Sequence, residues 1–411
     1  MDTTTRAQRP MMAVLLIGIA AQLLFSIGVT RPSKLVFDEV HYVPAARVLS
    51  ARERPTNTEH PLLGKTIIAT GIELFGDRPL GWRTMSTLAG TATVLGVFAI
   101  LFLLFGSVAT ASYGALFAAV NMTLYVHARI AMLEPFLGAF VTLGIAALLW
   151  AIKAPKDKVT PRWLLGAVLL GLATGVKWTA APYVAFAGLA FLAIRDKMPQ
   201  AWPGLGRGKA LALLGGASVA TYLATFWPAF QYREGALTLS RLIPFQREMY
   251  AQQTQVLSPH PYQSNWISWP FDARPIWYLY EPVDGAVRGI LYLGNPAVMW
   301  GGLVAVAWLA WHWFQTGSRV AGGVALLWTG SLAIWAIIPK SLGFYYYYHL
   351  SGVFVCIAIA AAFHMAGQPR ARWWFAVIAV ALFLYFYPIV SAMALPNDQA
   401  FNRWMWFDSW R

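Results

Sequence analysis

Eleven apolar stretches, separated mostly by short polar segments, constrain the fold of this chain more than any other feature. Most have the length of an α-helix that crosses a bilayer, which takes roughly 17–25 residues. The chain is 58% hydrophobic and 12% charged, whereas soluble domains are about 45–50% apolar and about 25% charged. We therefore expect an all-α polytopic membrane protein. The predicted spans are residues 11–29, 84–105, 108–126, 130–151, 163–177, 179–194, 210–228, 296–314, 320–338, 347–365 and 373–393.

The distribution of Lys and Arg predicts which loops face the cytoplasm. Arg6 and Arg9 precede the first span, and the alternate loops 153–162, 195–209, 315–319 and 366–372 all carry Lys or Arg. Because cytoplasmic loops are enriched in these residues, the N-terminus is predicted inside. The C-terminus and two long loops, 31–82 and 230–293, then fall outside. We expect one domain over 1–411, with amphipathic helices near 42–52 and 62–75.

Net charge and cysteine content exclude several classes of protein. The charge of +14 is spread over short loops, which is typical of contact with anionic lipid and argues against a nucleic-acid partner. Cys356 is the only cysteine in the sequence and lies in an apolar run, so neither an intramolecular disulfide nor a thiolate metal site is expected.

An acidic pair, Asp38-Glu39, directly follows the first span and its short polar turn. One reading is a solvated pair of loop carboxylates. The other is a general base supported by its neighbour, since an adjacent carboxylate raises a base's pKa or orients it. Paired oxygens also suit a divalent metal, with His41 and His60 as ligands, but we do not expect a metal or another cofactor.

Five cations lie at the outer ends of predicted spans or just outside them, where the orientation rule would deplete them. They are Lys65, Arg83, Arg129, Lys177 and Lys340. Each alone is explained by snorkelling to lipid headgroups. Together they suit a lipid-linked phosphate, which Arg binds with two parallel hydrogen bonds. Glu134, within a span, should face the protein interior.

Two clusters of aromatic residues, 258–270 and 344–349, border the predicted outer side. Aromatic rings stack on sugar faces, and Asn and Gln bind hydroxyl groups. The alternative is an aromatic belt at the membrane interface.

At these residues the sequence resembles the protein O-mannosyltransferase family, which comprises polyprenyl-phosphate-sugar-dependent membrane glycosyltransferases of the GT-C class. Phe37-Asp38-Glu39-Val40-His41 resembles the acidic motif of that family's first loop. His60-Pro61-Leu62-Leu63-Gly64-Lys65 resembles its His-Pro-Pro-Leu-Gly-Lys motif, with Leu62 at the second Pro. Residues 128–135 resemble its span-four motif, with Glu134 where Asp is commoner. Further similar segments are Arg83, Gly175-Val176-Lys177-Trp178, the 258–275 loop, Gly294-Asn295-Pro296 and residues 344–349.

The resemblance implies a bacterial inverting enzyme, with a GT-C bundle of about eleven spans in the inner membrane and an active site facing the periplasm. Mannose would pass from a polyprenyl phosphate to Ser or Thr hydroxyls of exported proteins, possible partners including the secretion translocon. Asp38 would be the base and Arg83 a phosphate contact. We expect Glu39 to support the base and Lys65, Arg129 and Lys340 to help bind phosphate. The expected sugar or acceptor contacts are His60, Glu134, Lys177, Asn265, Trp266, Trp269, Tyr347 and His349.

Three alternatives remain open. A related transferase would use another sugar, or a lipid or glycan acceptor, as an aminoarabinose transferase does. A transporter of lipid-linked sugars would need charged residues along a path between leaflets, whereas the polar clusters here lie on one predicted side. A non-catalytic receptor or scaffold would not require the acidic pair.

The predicted orientation is testable by labelling. Single cysteines introduced at residues 57 and 263 should react with an impermeant thiol reagent added from the periplasmic side, because both loops are predicted outside. Labelling of either position only after the inner face is opened would contradict this topology.

Overall fold

The computed structural model describes residues 3–411, with side chains from residue 10 onward, and it is mostly helical. Fifteen α-helices lie within the described residues. They are α1 (Thr3–Ser26), α2 (Glu39–Ser50), α3 (Leu63–Phe75), α4 (Pro79–Phe105), α5 (Val108–Val120), α6 (Met122–His127), α7 (Glu134–Ile152), α8 (Lys156–Val176), α9 (Ala181–Arg195), α10 (Arg207–Ala224), α11 (Leu239–Gln253), α12 (Pro296–Thr316), α13 (Arg319–Ala333), α14 (His349–Met365) and α15 (Pro369–Val390).

Nine helical segments of this described region are long and apolar enough to cross a membrane, and two shorter apolar helices, Pro10–Ser26 and Val108–Val120, accompany them. These eleven segments coincide with the eleven predicted spans. How many of them cross the bilayer, and in which direction, stays a prediction. Helices also lie at the two places in the first loop where amphipathic helices were expected, as α2 and α3.

Local sequence signals explain where several spans begin and end. Pro79 and Pro296 stand in the first turns of α4 and α12, where proline's missing N–H costs nothing. The side chain of Asn295 caps α12 by accepting a hydrogen bond from the Ala297 amide. Gly106 ends α4 in the left-handed conformation, with φ of 64°.

The interior of the bundle is formed by α14 and α7. Every residue of α14 from His349 to Ala361 is buried, and the helix packs against α12, α13 and α5. α7 packs against α4 and α8. Close approach depends on small residues: a Cβ atom at Gly302 would lie 2.0 Å from the Val355 side chain. Two largely apolar helices are therefore enclosed by the others, and the polar residues at their N-terminal ends, Glu134 and His349, share that enclosure.

A small antiparallel sheet, which the sequence analysis did not predict, lies in the second long loop. β1 (Ile276–Val283) pairs with β2 (Ala286–Tyr292), and β2 pairs with β3 (Ala394–Leu395) from the C-terminal segment. The turn Asp284-Gly285 has φ of 50° and 73°. Asp-Gly with both residues in this region is a strong signal for a two-residue hairpin, so the sequence did contain the information.

The sheet joins three segments at one end of the helix bundle. Asp284 accepts hydrogen bonds from the backbone and side chain of Ser33, and Lys34 forms an ion pair with Glu281. The first loop, the second long loop and the C-terminal segment therefore meet on the same side of the molecule. Which side of the membrane this end faces stays a prediction.

Candidate active site

The side chain of Glu39 anchors the first loop to the helix bundle. Its carboxylate is fully buried and accepts hydrogen bonds from the backbone amides of Val36, at 3.0 Å, and Ala131, at 2.8 Å. The guanidinium of Arg83 meets both carboxylate oxygens at 2.7 Å. A buried carboxylate is tolerated only when it is paired and hydrogen-bonded in this way. Glu39 therefore ties the start of α2 to α4 and to the segment before α7.

Arg83 has no donor left for a ligand, which argues against the phosphate contact expected for it. Besides its two bonds to Glu39, it donates to the carbonyl oxygens of Val29 at 3.1 Å, Pro32 at 2.8 Å and Lys34 at 2.9 Å. These bonds use all five N–H groups of the guanidinium, and the side chain is fully buried. The structure thus gives Arg83 a role in holding the first loop.

The carboxylate of Asp38 is held less tightly than that of its neighbour Glu39. The residue stands at the N-cap of α2 without making a side-chain capping bond, and it is half-buried. Phe37, just before it, has φ of 47°, a strained value for a bulky residue, and its ring stacks on Tyr278 at 3.9 Å. Backbone strain of this kind is found at functional sites whose surroundings over-determine the geometry.

The environment of Asp38 makes it a stronger base than an ordinary carboxylate. Burial first, and the carboxylate of Glu134 second, raise the pKa of Asp38 to about 6. The sequence analysis expected Glu39 either to raise this pKa or to orient the base; Glu39 is paired with Arg83, and the neighbouring carboxylate that raises the pKa is Glu134. A carboxyl with this pKa is ionised at neutral pH and accepts a proton more readily than one near 4.

Glu134 and Lys177 form a second buried ion pair beside Asp38. The Lys177 ammonium lies 2.5 Å from one oxygen of Glu134, and the other oxygen has no hydrogen-bond partner in the described structure. The same ammonium lies over the rings of Tyr346 and Tyr347, at 5.5 and 5.3 Å from their centroids. A small cavity is lined by Glu134, Lys177, Tyr347, Trp335 and His349. The structure thus brings four of the predicted site residues together around this cavity: Glu134, Lys177, Tyr347 and His349.

His349 belongs to a buried relay that the sequence analysis missed. Its Nδ1 lies 3.0 Å from Nδ1 of His127, whose Nε2 lies 2.8 Å from the hydroxyl of Tyr278. Nε2 of His349 has no partner among the described residues. His127 directly precedes the recognised segment 128–135, which was the available signal. Nothing local in the sequence connects Tyr278 to it, since 150 residues intervene.

A third group of side chains links the first loop to α11 and to the segment before α14. Gln253 contacts His60 Nδ1 at 3.0 Å and receives a hydrogen bond from Lys340. Burial, followed by the ammonium groups of Lys177, Lys65 and Lys340, lowers the pKa of His60 well below its usual value. Three cations therefore create an electropositive region around His60.

The three cations differ in how free they are. Lys65 is buried and donates to the backbone carbonyls of Asn57 and His60, so it mainly holds the loop, and burial lowers its pKa to about 7. Lys340 is half-buried. Burial and the nearby Lys177 lower its pKa to about 8. Lys177 is buried but makes one side-chain hydrogen bond among the described residues, to Glu134, so two of its three N–H groups remain for a ligand. Lys340 and Lys177 are therefore better candidates for a phosphate than Lys65.

Arg129 is not part of this region. It donates to the carbonyls of Phe25 and Ile27 at the end of α1, and its guanidinium lies over the Tyr125 ring at 5.0 Å. The expected role as a phosphate helper is not supported, because these contacts direct it towards α1 and α6.

The expected contacts in the 258–275 loop are also corrected in part. Trp269 is buried, its indole N–H donates to Ser264, and its ring packs edge-on against Trp335 and Tyr347. Trp269 therefore packs against the aromatic residues that surround Lys177, and its ring is not accessible to an acceptor. Asn265 is exposed and caps its own short helix by accepting from the Ile267 amide at 3.0 Å. Trp266 is half-buried in that helix.

The overall fold is shared with solved membrane glycosyltransferases. The S. cerevisiae protein O-mannosyltransferase Pmt1-Pmt2 complex bound to the sugar donor superposes with a TM-score of 0.85 at 13% identity, covering 98% of this chain and 93% of that one. ArnT from Cupriavidus metallidurans bound to undecaprenyl phosphate gives 0.63 at 15% identity, covering 94% of this chain and 67% of that one. The fold is therefore that of a multi-pass GT-C glycosyltransferase, as expected.

Sequence comparisons identify the family of membrane glycosyltransferases to which the chain belongs. Residues 59–221 match the model described as dolichyl-phosphate-mannose-protein mannosyltransferase, and 238–410 match the C-terminal four TMM region of protein-O-mannosyltransferase. A polyprenol-phosphate-mannose–protein mannosyltransferase of Corynebacterium glutamicum is 27% identical over 92% of this chain and 88% of its own length. One of Mycolicibacterium smegmatis is 26% identical, over 99% and 94%. This chain belongs to the protein O-mannosyltransferase family.

The structural role of Arg83 is testable by a double-mutant cycle. Arg83→Gln should lower the free energy of unfolding by about 3–5 kcal/mol, because it leaves a buried charge on Glu39 without a partner. Adding Glu39→Gln should recover part of that loss. Thermal unfolding in detergent measures both. An Arg83→Gln protein of unchanged stability with weaker donor binding would restore the phosphate role.

Proposed function

We propose that this protein transfers mannose from a polyprenyl phosphate to Ser or Thr hydroxyls of exported proteins. We further propose that it acts at the periplasmic face of a bacterial inner membrane. The observation that carries the proposal is the juxtaposition of Asp38, a carboxylate with a raised pKa, and the buried cation Lys177. A hydroxyl acceptor needs a base, and a phosphate leaving group needs cations, so the two groups suit the two ends of one displacement. The family to which the chain belongs supplies the substrate class.

The proposed reaction is a single displacement. The acceptor oxygen bonds to C1 of mannose as the bond from C1 to the phosphate oxygen breaks, and the acceptor proton passes to Asp38. The electron pair of the broken bond leaves with the polyprenyl phosphate. Inversion at C1 follows, so a β-linked donor gives an α-linked product. Because the leaving group is already a stable anion, the protein needs only fixed positive charge to stabilise it.

Each charged group then has a distinct task. Asp38 touches the acceptor and is the catalytic base. Glu39 is a positioning residue, since Arg83 and two backbone amides fix it and it adjoins Asp38 in the chain. Lys177 and Lys340 bind the phosphate. Glu134, with one oxygen unpartnered, binds sugar hydroxyls.

The aromatic residues and His349 complete the proposed sugar site. Tyr347 stacks on Trp335 with ring centroids 4.5 Å apart, and this pair lines the same small cavity as Glu134. His349 Nε2, which is buried and has no hydrogen-bond partner in the part of the chain that the structure describes, also borders the cavity. A mannosyl hydroxyl would satisfy that nitrogen, whose desolvation otherwise costs roughly 1–3 kcal/mol.

A direct assay tests the proposal as a whole. Purified protein is incubated with polyprenyl-phosphate mannose and a Ser/Thr peptide, and mass spectrometry should show the peptide gaining one hexose. Polyprenyl-phosphate aminoarabinose and a lipid acceptor are supplied in parallel, and transfer only to the latter would favour the related class of transferase.

The role of Asp38 predicts a defined pH profile. The rate of the unaltered enzyme should fall as the pH drops through about 6, because protonation of Asp38 removes the base. Asp38→Asn should lose on the order of 10²-fold or more in kcat, lose that acid limb, and bind donor normally. Asp157→Asn, at an exposed carboxylate in the first turn of α8, is the control. Wild-type turnover in Asp38→Asn would refute the mechanism.

The assignment of phosphate to the electropositive region is tested at Lys340. Lys340→Gln should raise the apparent donor KM by about tenfold or more, since a hydrogen bond to a charged group contributes about 1.5–3 kcal/mol. It should leave the acceptor KM near its original value. Lys153→Gln, at an exposed lysine, serves as the matched control. An unaltered donor KM in Lys340→Gln would exclude this residue from the site.

A further inference from the structure

An open cleft lies between the first loop and the edge of the β-sheet. Its volume is about 520 Å³, which falls within the range of roughly 300–1,000 Å³ that ligand sites occupy. One wall is the chain segment 34–37 together with Val40, and the other is formed by residues 277–281 of β1. Tyr262, Phe401 and Arg411 complete the lining.

The wall formed by β1 is an unpaired strand edge. β1 is the outermost strand, since it pairs only with β2 in the order β1-β2-β3. Over residues 3–411, no backbone hydrogen bond connects the other edge of β1 to a further segment. Such an edge is a template for an additional strand. The segment 34–37 lines the same cleft and makes no backbone hydrogen bond to this edge in the described structure.

Side-chain contacts cross the cleft near both of its ends, and one of these ends adjoins the proposed base. The ion pair between Lys34 and Glu281 spans it, next to the hydrogen bonds from Ser33 to Asp284. At the other end Phe37 stacks on Tyr278, and the next residue in the chain is Asp38. A strand lying along β1 therefore leads towards the carboxylate that would take the acceptor proton.

From this arrangement we infer that the acceptor polypeptide binds in the cleft as an extended strand added to the free edge of β1. The inference rests on the proposed function and defines the substrate further. In strand addition, backbone hydrogen bonds supply affinity and pockets for alternate side chains supply specificity. The acceptor is consequently an unfolded stretch of chain that can adopt an extended backbone.

An N-methyl scan of an acceptor peptide tests the inference. N-methylation at each residue in turn on both sides of the acceptor Ser removes one backbone donor at a time. In a β-strand, successive N–H groups point to opposite sides. The apparent acceptor KM should therefore rise about tenfold at every second residue, as expected for the loss of roughly 1.4 kcal/mol, and remain near the parent value between them. A profile that is flat, or that rises at every residue, would overturn strand addition.

A protein variant tests the location. Val40 lines the cleft and is 48% exposed, so a larger side chain there fills the cleft without entering the core. Val40→Trp should raise the acceptor KM at least about tenfold and leave the donor KM unchanged. Val256→Trp, the same substitution at a position 91% exposed and outside the cleft lining, is the control. Equal acceptor KM values in the two variants would place the acceptor elsewhere.

The unmodified peptide separates this inference from the proposed function. If it gains mannose, a flat N-methyl profile defeats only the binding mode. If neither it nor longer Ser/Thr peptides gain a hexose from the donor, the proposed function fails, and the acceptor cleft fails with it.

Discussion

The buried ion pair between Glu39 and Arg83 is the interaction on which the arrangement of the site depends. It joins the start of α2 to α4, and through the Ala131 amide it also reaches the segment before α7. Three parts of the chain that are distant in sequence are thereby fixed around one carboxylate. Removing either partner leaves a charge in a region without water, where its desolvation is not repaid. Asp38 gains its defined position from this anchor, yet keeps its own carboxylate free.

Charge is divided around the site in a way that suits its two substrates. The carboxylate of Glu134 lies close enough to raise the pKa of Asp38, while the ammonium of Lys177, which pairs with Glu134, acts in the opposite direction. Lys340 and Lys65 extend the positive region towards His60 and α11. In the proposed mechanism, the donor phosphate is attracted on one side and the acceptor hydroxyl meets a base on the other. The aromatic rings of Tyr346 and Tyr347 also face the Lys177 ammonium, which is attracted to their π-electron density.

The sequence predicted the features that arise from local patterns. Long apolar runs located the membrane helices, and the acidic and His-Pro motifs located the first loop of the site. Contacts between side chains that are distant in the sequence were not predicted. Glu39 and Arg83, for example, are 44 residues apart, and no local pattern indicates that they form an ion pair. Arg83 and Trp269 were therefore read as ligand contacts, whereas both are buried in the scaffold. His127 and Tyr278 were missed for the same reason. The hairpin at Asp284-Gly285 was readable from its turn and was overlooked in an aromatic-rich loop.

Gln253, at the end of α11, connects this helix to the electropositive region around His60. Its amide nitrogen contacts Glu59 and His60 of the first loop, and its amide oxygen accepts from Lys340. An anion that binds the Lys340 ammonium would compete with the hydrogen bond from Lys340 to Gln253. Anion binding and the packing of α11 against the first loop would therefore be thermodynamically coupled. Linkage of this kind is reciprocal: whatever holds α11 against the first loop alters the affinity for the anion by the same factor. If the donor phosphate binds Lys340 as proposed, the hydrogen bond from Lys340 to Gln253 couples the position of α11 to donor binding.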